Sequence, residues 1–137
     1  MIEIYSNVNK EQINHIIFSK SDFVDGRTDI IGSDNFLQCS ALKLNNGTTF
    51  KPHKHVYHTT TKDNVIAQES WVVISGEVLF MYYDIDNTFG GSYILQPGDI
   101  SVTLFGGHNY EILDDNTLIY EYKTGPYLGQ ELDKEFI

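Results

Sequence analysis

His53 and His55 stand on either side of Lys54, and Glu69 opens the run whose apolar part is residues 71–74. Side chains alternate with a period of two along a β-strand, so imidazoles at i and i+2 aim at one point. A carboxylate arriving from a neighbouring strand completes a mixed nitrogen and oxygen donor set, which suits divalent iron, manganese, nickel or zinc. Donor types alone do not choose among these four metals, because their ligand preferences overlap.

Donors of this kind need strands to hold them, and the chain is rich in short strand-like runs. These fall at 13–18, 36–44, 69–74, 78–83, 92–95, 100–104, 110–113 and 117–122, where β-branched and aromatic residues dominate. Asparagine, aspartate and glycine punctuate them at 45–47, 75–76, 86–87, 90–91, 97–99, 106–107 and 114–116. Short strands at this spacing predict an all-β sandwich or barrel. Helical periodicity is poor, with residues 10–15 as its one weak instance. Residues 56–68 break the pattern of tight turns and separate His55 from Glu69. A polar segment of this length reads either as a rim or lid or as an exposed hairpin extension.

The stretch 47–76 has the form G-x5-H-x-H-x13-E-x6-G, from Gly47 through His53, His55 and Glu69 to Gly76. It resembles the first motif of the cupin superfamily, with a longer interval between the second histidine and the glutamate than that family usually shows. A second stretch, 98–108, resembles the second cupin motif: a glycine opens a strand and a histidine follows the next turn. His108 takes that position, while Leu104 stands where the family usually has proline and Ile112 where it has asparagine. The resemblance covers roughly 47–112 and implies a double-stranded β-helix, or jelly-roll barrel. It also implies a divalent metal held by His53, His55, Glu69 and His108. His15 and His58 match no motif position and read as ordinary surface or core histidines.

The chain has 137 residues, the size of one domain, here read as a single cupin domain over 1–137 with a C-terminal arm at 123–137. Its single cysteine, Cys39, sits in an apolar run and reads as a small buried hydrophobe. Lysine and arginine number 9 against 19 aspartate and glutamate, a formal net charge of −10. That balance disfavours nucleic-acid partners, although Lys51, Lys54 and Lys62 remain available for a local phosphate. No run reaches the ~20 apolar residues of a membrane span, and no basic and apolar leader follows Met1, so a cytoplasmic protein is the expectation. The resemblance and the open strand edges imply a homodimer.

Glu121 and Lys123 share one face of their strand and Tyr120 and Tyr122 the other, so one of the two sets faces inward. Trp71 falls on the same side as Glu69. With Glu69, the residues Tyr110 and Lys123 are the candidates for catalytic groups, and Tyr82 and Tyr122 offer further hydroxyls. The resulting expectation is a metal-dependent enzyme acting on a small polar substrate such as a carbohydrate or nucleotide-sugar derivative. Its divalent ion would act as a Lewis acid in isomerase, epimerase or lyase chemistry. An iron-dependent dioxygenase and a non-catalytic metal- or sugar-binding module are the alternatives. A cavity in which titratable groups adjoin the metal favours catalysis, and a sealed apolar interior favours the module.

Overall fold

The structure is a computed structural model that describes residues 1–6, 8, 10–59 and 64–137, with backbone alone at 57–59, 64 and 65. In chain order its strands are β1 (Ile2–Tyr5), β2 (Ile13–Ile17), β3 (Gly26–Asp29), β4 (Leu37–Leu44), β5 (His53–His55), β6 (Tyr57–Thr59) and β7 (Asn64–Ile66). They continue as β8 (Glu69–Ser75), β9 (Val78–Tyr83), β10 (Phe89–Leu95), β11 (Ile100–Thr103), β12 (Gly107–Ile112), β13 (Thr117–Thr124) and β14 (Lys134–Phe136). A single turn of helix, α1 (Gln130–Asp133), precedes the last strand.

Two five-stranded antiparallel sheets, ordered β10-β9-β12-β5-β14 and β11-β8-β13-β4-β3, face each other. This is the double-stranded β-helix that the resemblance implies. Two small ribbons, β1-β2 and β6-β7, are added to it.

Alternation along the strands sorts the interior into layers. Glu69, Trp71 and Val73 of β8 are buried, and their partners across the ladder are Lys123, Glu121 and Ile119 of β13. Strand β12 places His108, Tyr110 and Ile112 inward in the same order. Polar donors therefore occupy one end of the barrel. Next come the aromatic rings and Glu121, and beneath them lies an apolar floor of Leu42, Val73, Val78, Leu95, Ile112 and Ile119. Successive layers are two residues apart along a strand, roughly 6.6 Å. Each apolar side chain of the floor contributes about 1.5–3 kcal/mol by leaving water.

Several sequence expectations are corrected here. Residues 10–15 hold no helix: 10–11 form a turn and Ile13 begins β2, pairing with Tyr5. The strand expected at 92–95 starts at Phe89, because the ladder with β9 slips between Phe89 and Gly91 and resumes its pairing beyond the slip. The strand expected at 110–113 starts at Gly107, since that segment pairs with β5 as well as β9. Strands β1 and β3 had no counterpart in the sequence reading. Residues 123–137 supply the end of β13, α1 and β14, and β14 pairs with β5 at the edge of its own sheet.

Within 56–68, β6 and β7 pair antiparallel, with Tyr57 opposite Ile66 and Thr59 opposite Asn64. Residues 60–63, and with them Lys62, lie outside the described residues, as do the side chains of His58 and Thr59. Among the described residues no helix is long and apolar enough to cross a membrane.

The turn between β8 and β9 depends on Gly76, whose φ is +82° and whose Cβ position is filled by the fully buried Thr117 side chain. Gly47 has a similar φ of +80° but open space around it. Gly47→Ala should therefore carry only left-handed backbone strain, about 1–2 kcal/mol. Gly76→Ala should add an overlap worth about 1–3 kcal/mol more. Thermal unfolding of the two variants tests this, and equal midpoints would contradict it.

Candidate metal centre

Four side chains converge at the polar end of the barrel. His53 and His55 come from β5, His108 from β12 and Glu69 from the start of β8, and all four are buried. One donor atom from each lies within 4.8 Å of every other. Bonds of ~2.0–2.2 Å to a common ion put neighbouring donors roughly 3 Å apart and opposite ones about 4.3 Å apart, so closing on an ion takes only small movements.

Hydrogen bonds orient the rings. His53 Nδ1 donates to the Lys51 carbonyl at 3.0 Å, and His55 Nδ1 donates to Asp133 Oδ2 at 3.1 Å. Both acceptors lack protons of their own, so Nδ1 carries the hydrogen and Nε2 is the nitrogen available to ligate. His108 Nε2 lies 3.1 Å from Glu69 Oε1, and His55 Nε2 lies 3.4 Å from Glu69 Oε2. At that second contact the geometry leaves His55 Nε2 without a hydrogen-bond partner, although it is buried. A buried orphaned nitrogen is costly to leave unpaired, and a divalent cation is a fitting partner. The donor set and this orphan fit a metal, and the four residues are disposed to hold one.

The electrostatics follow from the burial. Burial opposes ionisation of Glu69, yet His108 and His55 outweigh it and hold the carboxyl well below its usual range. His53 is pushed down to about 4, chiefly by burial and then by His108 and Lys134. Burial also pushes His55 down, but Asp133 and Glu69 overcome it and raise the imidazole to about 9. Asp133 answers in kind: against burial, the bonds from His55 and Lys123 hold it at about 2.

A cavity of about 640 Å³ opens onto this cluster, with His53, Glu69, Trp71, Tyr110, Glu121 and Lys123 among its lining residues. Of the paired faces of β13, Glu121 and Lys123 turn inward, while Tyr122 is exposed on the outside. Lys123 Nζ donates to Asp133 Oδ2 at 2.9 Å and lies 4.3 Å from the centre of the Tyr127 ring. Glu121 accepts from Trp71 Nε1 at 3.2 Å and pairs with Arg27 at 2.9 Å. Burial, with the Glu69 charge, raises the Glu121 carboxyl despite Arg27 and Lys123. Trp71 and Tyr110 stack in parallel with ring centres 3.8 Å apart, and the Tyr110 hydroxyl is bonded to Ser101 at 2.8 Å. Burial drives that hydroxyl far above its usual pKa.

Other candidates lie elsewhere. Tyr82 stacks on Phe80 and Tyr93 and covers Gly90 and Gly91. Tyr122, Cys39 and His15 line a separate cavity beneath the β1-β2 ribbon. Lys51 lies over the Phe136 ring and Lys54 bonds Asn87, so neither lines the main cavity.

Sequence reasoning missed Arg27, Asp133 and Lys134, all of which act at this end of the barrel. Lys134 Nζ lies 3.4 Å from His53 Nε2, and burial lowers its pKa. Glu121 was marked only by its alternation with Lys123, and no local signal in the tail points to Asp133 or Lys134.

No family model and no curated protein matches the sequence. Solved structures do resemble the fold. KdgF from a Halomonas species is 18% identical over 72% of this chain and 77% of that chain, with a TM-score of 0.55. The capsular polysaccharide assembling protein CapF from Staphylococcus aureus is 20% identical over 81% of this chain, with a TM-score of 0.64, and the match spans 31% of CapF. An uncharacterised double-stranded β-helix protein from Klebsiella pneumoniae is 18% identical over 85% of this chain and 95% of that chain, with a TM-score of 0.61.

Replacing His53 or His108 by alanine should remove most bound metal. Glu69→Gln should weaken binding less, because an amide oxygen remains. Asp133→Asn, which touches no ion, should lower affinity about 10–100-fold by releasing the His55 ring. Elemental analysis and chelator competition measure all four, and undiminished metal in the histidine variants would refute the assignment.

Proposed function

We propose that this protein, whose fold is a double-stranded β-helix, is a cupin-type, metal-dependent enzyme acting on a small polar molecule derived from carbohydrate. Its chemistry is of isomerase, epimerase or lyase type. When bound, a divalent ion at His53, His55, Glu69 and His108 supplies Lewis acidity that polarises a carbonyl or hydroxyl oxygen.

The observation that carries this reading is the lining of the cavity: beside the donors stand Glu121 and Lys123, ionisable groups outside the donor set. Glu121 lies one layer below Glu69 on the ladder, roughly 6.6 Å away along the strands. A small molecule seated against the donors thus extends to Glu121. Its raised carboxyl suits it to take a proton from carbon, because proton transfer is most efficient when the acceptor's pKa approaches the working pH. Arg27 and Trp71 fix the orientation of that carboxylate. Lys123, held by Asp133, offers a hydrogen bond to negative charge developing on the substrate oxygen. Tyr110 serves as a wall through its stack on Trp71, since its hydroxyl is engaged by Ser101.

A polar cavity of this kind supports an enzyme over a purely binding module, whose interior would be sealed and apolar. The structural resemblance to CapF, named for capsular polysaccharide assembly, supports the carbohydrate side of the reading. A set of DMSP lyase structures, matching at 19% identity with a TM-score of 0.57, supports the lyase side.

The test is solvent exchange. The protein, loaded in turn with iron, manganese, nickel and zinc, is incubated with sugar acids, ketoses and nucleotide sugars in deuterated water and followed by NMR. Deuterium should enter substrate or product carbon. Glu121→Gln should slow this about 100-fold or more while metal content stays unchanged. Failure of every metal to support exchange or product formation would refute the reading, and an unchanged rate in Glu121→Gln would remove that group from the chemistry.

A further inference from the structure

Among the described residues three lysine or arginine side chains line the main cavity, in a chain whose formal net charge is −10, namely Arg27, Lys123 and Lys134. Two of them are neutralised on the spot. Arg27 is bracketed by Asp29 at 2.7 Å and Glu121 at 2.9 Å, and Lys123 is paired with Asp133 at 2.9 Å. Among the described residues Lys134 forms no ion pair, and its ammonium rests 3.4 Å from His53 Nε2. That nitrogen is the one left free to ligate, because His53 Nδ1 is occupied by the Lys51 carbonyl. The lysine therefore stands at the lip of the donor cluster. It is held there by the backbone, since Lys134 pairs with His55 across the β14-β5 ladder.

This arrangement is electrostatically incomplete once an ion is present. The donor set brings one negative charge, Glu69, against two positive charges on a divalent ion. Lys134 adds another positive charge beside it and loses His53 Nε2 as an acceptor. Like charges at this range in a half-buried site repel strongly unless an anion lies between them.

Resting on the reading of the cavity as a metal-dependent site for a small molecule, we propose that the molecule it takes carries a carboxylate, received by Lys134 beside the metal donors. A carboxylate satisfies the site with one negative charge and oxygen acceptors for the lysine. A phosphate ester fits worse. It brings up to two charges into a cavity that already holds Glu69, Glu121 and Asp29, and the guanidinium suited to phosphate is taken by two carboxylates. The substrate class is accordingly a sugar acid or a related hydroxy acid, in preference to a neutral or phosphorylated sugar.

Calorimetric titration with D-glucuronate, D-glucose and D-glucose 6-phosphate tests this on zinc-loaded and metal-free protein. The first two probes share a ring and differ by carboxylate against hydroxymethyl. Zinc-loaded wild type should bind glucuronate about tenfold or more tighter than glucose. Lys134→Met should bring the two within about twofold of each other at unchanged zinc content, and Lys134→Arg should keep most of the preference. No glucuronate binding, equal affinity for the sugars, tighter binding of the 6-phosphate, or a preference that survives Lys134→Met would overturn the proposal. Should Lys134→Met fold poorly, Lys134→Gln repeats the measurement with the same expected outcome. The metal-free arm separates the two readings. A wild type that takes up no zinc refutes the metal site, and in that case glucuronate binding weakened by loss of Lys134 still supports the carboxylate site, whereas none overturns it.

Discussion

Glu69 places a carboxylate where almost no water reaches, and much of the barrel is arranged around that constraint. An ion stripped of water costs several kcal/mol unless close partners replace the lost hydration. Here His108 and His55 face its two oxygens. These rings need holding in turn, and the Lys51 carbonyl and Asp133 hold His53 and His55 from behind. Asp133 is then a second buried charge, and Lys123 neutralises it. Each compensation recruits another strand, so that β5, β8, β12, β13 and the C-terminal segment are tied to one small volume.

The apolar floor makes this affordable. Val73, Val78, Ile112 and Ile119 are almost wholly buried, and their combined transfer from water outweighs a few imperfectly paired polar groups. Between floor and donors lies the stacked pair Trp71 and Tyr110. Both residues present a broad apolar ring to the floor and a polar atom to a partner, the indole to Glu121 and the hydroxyl to Ser101. That layer lets a polar cavity sit directly above a dry core without leaving its hydrogen-bonding groups stranded.

The main strands were legible because short runs rich in β-branched and aromatic residues, such as 69–74, 78–83 and 117–122, are bounded by turn residues. Strand β5 was legible for a different reason: its two histidines share a face only if the segment is extended. What escaped was pairing without pattern. Strand β14 is three residues long, Lys134–Phe136, too short for a period to show. The segment 10–15 offered a helical spacing, but pairing of Ile13 with Tyr5 on β1 decided for strand. Residues 56–68 showed no strand pattern, and the pairing of β6 with β7 is set by the ladder between them.

At the site, spacing within 47–76 was enough to point His53 and His55 at one place, because alternation is a local property of extended chain. The resemblance added Glu69 and His108. How far apart these groups lie is a tertiary fact: it depends on antiparallel registers that set His108 opposite His53 and Lys123 opposite Glu69. The same holds for which face of β13 is inward, since alternation separates Glu121 and Lys123 from the tyrosines without saying which set is buried. Asp133 and Lys134 mark the limit most clearly. Far along the chain in a polar tail, they reach the imidazoles only because β14 docks on β5, and charge interactions depend on distance in space, which no local pattern encodes.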